Sequence, residues 1–163
     1  MRRIIAILTC SLVVLSAWAQ DVTKYAPDTI LQLIGILERD PFSERGLAAR
    51  AVILEFAEKS DTVLVEVSER AMPWLEDAQV PERAKLVLTA AYVAGNVKSQ
   101  LERKVNANDS LAGWKQVFRA YDALRKHSPG IRVAGVEELL EEEKSGKLPA
   151  RASELEGQEK DRV

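Results

Sequence analysis

Apolar positions recur at helical spacing along most of the chain, and they are densest between residues 81 and 104, PERAKLVLTAAYVAGNVKSQLERK. Pro81 suits the first position of a helix, where a missing N–H costs nothing. Glu82 follows, a negative charge matched to the positive end of the helix dipole. One stripe runs Leu86, Ala90, Val93, Val97 and Leu101, and a second runs Val87, Ala91, Ala94 and Lys98. A helix that is apolar on two sides must be covered on two sides. This one is therefore expected in the middle of a helical bundle. Ala91-x-x-x-Gly95 sets two small residues one turn apart, which lets another helix approach closely; the helix bearing Trp114 is the expected neighbour.

The other elements follow from the same periodicity. Asp28 is the expected cap of a first helix carrying Ile30, Leu33, Ile34 and Leu37, stopped by Asp40-Pro41. Gly35 inside it, costly in a helix, marks a close contact. Ser43 caps a second helix over 44–59, with Leu47, Ala51, Leu54 and Ala57 at helical spacing. Asp109 or Ser110 caps another over 111–126, where Leu111, Trp114, Val117, Phe118, Tyr121 and Leu124 form the cleanest amphipathic stripe. His127-Ser128-Pro129-Gly130 ends it. A last helix over 133–144 buries Val136, Leu139 and Leu140.

Two segments are ambiguous. In 62–72, Val63, Val65 and Val67 alternate as in a strand, while Leu64, Val67, Ala71 and Met72 fit a helix. A lone strand with nothing to pair with is not stable, so a helix is expected. Residues 145–163 are charged and sparse in large apolar groups, which predicts a disordered tail. The fold class is then all-α: a single compact bundle or orthogonal array of five to six helices, with short loops and a disordered C-terminal tail.

The first residues change the arithmetic. Arg2 and Arg3, an apolar run over 4–17, and Ala17-Trp18-Ala19 form a signal peptide expected to be cleaved after Ala19. The apolar run falls short of the roughly 20 residues that span a bilayer, so no membrane span is expected in the mature chain. Domains are expected at 1–19 (signal peptide), 20–144 (helical domain) and 145–163 (tail). Losing Arg2 and Arg3 moves the formal charge from −2 to about −4. That balance argues against nucleic acid as a partner. Cys10 leaves with the signal, so the mature chain folds without disulfides and relies on its core. A compact signal without disulfides points to the periplasm or extracellular space of a bacterium.

Little in the sequence carries chemistry. One histidine and no mature cysteine leave no metal-ligand set, and no cofactor loop or catalytic spacing occurs. His127 sits at a helix C-terminus, where imidazole interacts well with exposed carbonyls. Glu137, Glu138, Glu141, Glu142 and Glu143 form an acidic block expected to be a solvated helix face. Asn108-Asp109-Ser110 matches a glycosylation acceptor, relevant only to a eukaryotic route. Tyr92, Asn96 and Lys98 are candidate lining for a small polar pocket, although the favoured course for Lys98 is along its helix to solvent. Trp74 follows Pro73 at a bend and is the aromatic expected to be most open, hence a candidate binding anchor. No catalytic residue, metal or cofactor is assigned. The expected function is a non-enzymatic protein- or peptide-interaction module of the bacterial envelope. The alternatives are a muramidase-like envelope hydrolase using paired carboxylates, or a carrier of a small apolar ligand between helices.

Overall fold

The computed structural model describes residues 25–160. The expected signal peptide at 1–19 and the last three residues lie outside them. Six helices form: α1 (Pro27–Arg39), α2 (Glu44–Lys59), α3 (Glu82–Arg103), α4 (Ser110–His127), α5 (Ala134–Lys144) and α6 (Leu148–Lys160). No described residue is in a strand, and no helix among the described residues is long and apolar enough to cross a membrane.

α3 lies between two apolar cores. One flank, Ala90, Val93, Ala94 and Val97, packs with Ile30, Ile34 and Leu37 of α1 and Ile53 and Phe56 of α2. The other, Ala84, Val87, Leu88, Ala91 and Tyr92, packs with Trp114, Val117 and Tyr121 of α4, Leu139 of α5 and Leu148 of α6. Within the two stripes, Leu86 stays exposed and Lys98 is partly so. Pro81 stands just before the helix and supplies its last extended backbone unit.

The caps follow side-chain chemistry. Ser43 Oγ accepts the Gly46 N–H at 3.0 Å, and Asp109 Oδ1 accepts the Ala112 N–H at 2.9 Å, each satisfying a donor the helix cannot. α1 departs from the expected start: Pro27 opens it after Ala26, and Asp28 sits in the first turn. Gly35 does not mark a close helix contact, because a Cβ there would meet only Arg39 at 3.5 Å.

Two whole segments also depart from expectation. Residues 62–68 are not helical: 63–68 adopt no regular secondary structure between a bend at 61–62 and a turn at 69–71, and the pairing of the alternate Leu64 and Glu66 N–H groups with side chains marks an extended run. The β-branched valines favour that geometry. The missing partner strand is replaced by one carboxamide: Gln100 Oε1 accepts the Leu64 N–H at 2.9 Å, and Gln100 Nε2 donates to the Leu64 carbonyl at 2.7 Å. A side-chain amide thus stands in for a neighbouring peptide group. The expected disordered tail is also overturned over 148–160, which forms α6. Leu148, Ala152 and Leu155 recur at helical spacing, and all three are buried against the α4 side of the core. A narrow stripe suffices because α4 and α5 leave it a place to dock.

Candidate functional site

Asn96 is fully buried at the α3–α4 crossing. Its Nδ2 donates to Asn108 Oδ1 at 2.6 Å. Its Oδ1 accepts from Gln100 Nε2 at 2.5 Å and from the Asp109 N–H at 3.1 Å. Asn108 Oδ1 also accepts the Glu66 N–H at 3.0 Å, and Asn108 Nδ2 donates to Ser110 Oγ at 2.9 Å. Tyr92 closes the group by donating to the same Ser110 Oγ at 3.2 Å. The network couples the extended segment to α3 and α4 and uses most of its own hydrogen-bonding capacity, so it works as a clasp.

Tyr92 and Asn96 are therefore brought together, as the spacing suggests; Trp74 touches the Tyr92 ring but takes no part in the polar network, and Lys98 lies apart from it. Trp74 is fully buried, contrary to its expected exposure. Its Nε1 donates to Thr89 Oγ1 at 3.1 Å and its ring meets Tyr92 edge-on, centroids 6.4 Å apart. The bend after Pro73 turns the indole inward. Lys98 takes the solvent-reaching course and pairs with Glu38 of α1 at 2.9 Å. It borders a cleft of about 310 Å³ over the close approach of Gly95 to Ala112.

Burial pushes the Tyr92 hydroxyl up to about 12; its hydrogen bond with Ser110 opposes the rise, and the charge of Glu66 adds to it. An unfolded chain releases this proton near pH 10. The folded state holds it more tightly, so the contribution is complete below pH 10 and is lost as pH rises through 12. Its size is about 2–3 kcal/mol. Tyr92→Phe is expected to flatten the alkaline fall of Tm between about pH 10 and 12, measured by circular-dichroism melts.

Four of the five acids of the α5 block, Glu137, Glu138, Glu141 and Glu142, pair with basic side chains. Glu137 accepts from Arg132 at 2.8 Å and from the Tyr121 hydroxyl at 3.0 Å, which holds its carboxyl below the usual range. Glu138 and Glu142 share Arg151 Nη1 of α6 at 2.8 and 2.9 Å. They border a cleft of about 510 Å³ between α5 and α6, with Trp114 at its base. No group of His, Cys, Asp or Glu among the described residues is placed to hold a metal ion.

A third site leaves little trace in the sequence. Phe42, in the α1–α2 turn, stacks on His127 at the end of α4, with centroids 4.4 Å apart and planes 8° from parallel. The Arg83 guanidinium lies 5.8 Å from the Phe42 ring centroid. Together with the 128–132 loop they bound a groove of about 410 Å³ whose floor includes Ala84, Leu124 and Ile131. The Tyr121 hydroxyl fixes the loop by accepting the Val133 N–H at 3.1 Å. Arg83, His127 and Arg132 line the groove, and no carboxylate does. Arg132 is engaged by Glu137. Arg83 forms no ion pair with a described residue.

The chain matches no protein-family model, no curated protein and no solved structure. The groove's sequence signal is Arg83 itself. A cation in the first turn of a helix opposes the dipole, so its presence there needs another reason. Phe42 carries no periodic signal, and His127 reads only as a helix end.

Proposed function

We propose that this chain is a non-enzymatic interaction module of the bacterial envelope that holds a peptide segment of a partner in the Phe42–Arg83–His127 groove. The segment offers an apolar side chain to the floor and a carboxylate to Arg83. The observation supporting this reading is the combination of an apolar floor, cationic walls without a lining acid, and a guanidinium without an ion pair. Arg recognises carboxylates through two parallel hydrogen bonds, and chain termini are a recurrent target of such sites. The stacked Phe42 and His127 rings form a flat wall suited to an apolar side chain. Export by the signal at 1–19 would deliver the module to the periplasm or beyond.

The test uses a fluorescent peptide ending in Asp-Leu with a free C-terminus. Anisotropy is expected to report binding that weakens about tenfold or more when the terminus is amidated or in Arg83→Ala, as loss of a charge-assisted hydrogen bond predicts. Arg83 is exposed, so its replacement should leave Tm unchanged. Equal binding by the free and amidated peptides would refute the carboxylate role.

A further inference from the structure

The cleft over the α3–α4 crossing holds polar groups that the fold leaves unpaired. Gly95 has no side chain and Ala112 only a methyl, so the helices meet backbone to backbone and a hollow of about 310 Å³ opens over the seam. Apart from these two, every residue lining it carries a polar or charged side chain. Gln116 lines it while only 5% exposed. Its Oε1 accepts from Arg119 Nη1 at 3.3 Å, which fixes the orientation of the carboxamide. Its Nε2 donates to no described residue, yet it is not sealed off from solvent. A second hollow at Gln116, beside Leu37 and Pro41, holds only about 20 Å³, room for one water at most. Buried polar groups are nearly always hydrogen-bonded, so the Gln116 amide calls for an acceptor from the larger cleft.

The charges around this carboxamide set the sign of that acceptor. Lys98, Arg103, Lys115 and Arg119 line the cleft together with Glu38 and Glu102. Glu38 is shared by Lys98 at 2.9 Å and Arg119 at 3.8 Å, and Arg103 pairs with Asp109 at 2.8 Å. Four cations therefore meet three acids, which leaves one positive charge over. Lys115 and Glu102 form no ion pair with a described residue. The groups left open are thus one ammonium, one amide donor and one carboxylate. A single excess charge suits a monocarboxylate, whereas a phosphate monoester carries close to two charges at neutral pH and overshoots it. An ionised carboxylate only accepts hydrogen bonds, so Glu102 requires hydroxyl donors on the same ligand.

We propose that this cleft binds a sugar acid, with the ligand carboxylate on Lys115, Arg119 and the Gln116 amide and its hydroxyls on Glu102. The carboxylate supplies the charge-assisted contacts, and the hydroxyls answer the lining that a hydrocarbon would leave unpaired. The bare backbone at Gly95 keeps the floor open to a ring. The cleft shares no residue with the groove at Phe42, so the inference does not depend on the peptide reading.

The probe is D-glucuronate, titrated into isotope-labelled protein while the side-chain amide signals of Gln116 are followed by NMR. D-glucose, which lacks the carboxylate, and inorganic phosphate are the comparison ligands. Gln116→Met keeps the length of the side chain and removes its donor; Lys115→Ala removes the unpaired cation at an exposed site. D-glucuronate is expected to bind and to shift the Gln116 amide signals. Affinity should fall about tenfold for either comparison ligand and in either variant, the effect of losing a hydrogen bond or a charge contact. Lys115→Ala should leave Tm unchanged, so the test stands even if Gln116→Met fails to fold. Gln116 signals unmoved by D-glucuronate would overturn the proposal, as would wild-type affinity in Lys115→Ala. Equal binding of D-glucose would remove the carboxylate from it, and equal binding of phosphate would reduce the cleft to a general anion site; either result refutes the sugar acid.

Discussion

Removal of residues 145–163 is expected to lower the unfolding free energy by about 3–6 kcal/mol, the transfer cost of exposing two buried leucines and the surfaces they cover. Leu148 and Leu155 are almost fully buried against the core that α3 shares with α4. The deletion also removes Arg151 from Glu138 and Glu142 and from the face of Trp114, 5.8 Å away. Glu156 is lost as acceptor for the Ser110 N–H, at 3.0 Å, beside the buried clasp. Domains of this size are stable by about 5–15 kcal/mol in total, so a truncated chain would sit near its folding limit. Urea unfolding of full-length and truncated protein measures the difference. An unchanged midpoint would mean that α6 contributes nothing to the core.

Gly95→Leu is expected to cost about 3 kcal/mol or more, at the upper end of overpacking effects. A Cβ on Gly95 would lie 2.5 Å from the Ala112 carbonyl oxygen and 2.7 Å from Gln116 Cβ. Neither atom can give way without moving α4. The crossing is close in both directions, since a Cβ on Gly113 would lie 2.6 Å from the Tyr92 ring. A thermal melt is the direct measure, and a Tm equal to that of the wild type would place the α3–α4 contact elsewhere. Displacing α4 would also pull Asn108 and Ser110 from Asn96 and Tyr92, so the extended segment should loosen with it.

These sites show which parts of the fold are legible in the sequence. The two-sided apolar pattern of residues 81–104 is enough to place α3 between two cores. Ala91-x-x-x-Gly95 is enough to predict the tight α4 contact, because a missing side chain at helical spacing has few other uses. The extended run over 63–68 is not legible, because its partner is the side chain of Gln100, thirty-six residues from Leu64. No local rule connects a strand to one carboxamide. Composition conceals α6: Leu148, Ala152 and Leu155 are few among many charges, yet they share a face.

The candidate site is less legible still. Tyr92 and Asn96 stand out as polar groups on a buried helix, but the residues that satisfy them, Asn108 and Ser110, come from the connection into α4. The burial of Trp74 is hidden because a bend after proline says nothing about which way the indole turns. The Phe42–His127 stack joins two chain stops far apart in sequence, each explained locally without the other. Such sites depend on how elements pack, which periodicity does not encode.

Differential scanning calorimetry tests most directly whether α3 joins its two flanking cores into one structure. A single helix shared by both should make them melt together, giving one transition with a ratio of calorimetric to van't Hoff enthalpy of about one. Two transitions, with the α1–α2 side melting apart from the α4–α6 side, would contradict that organisation.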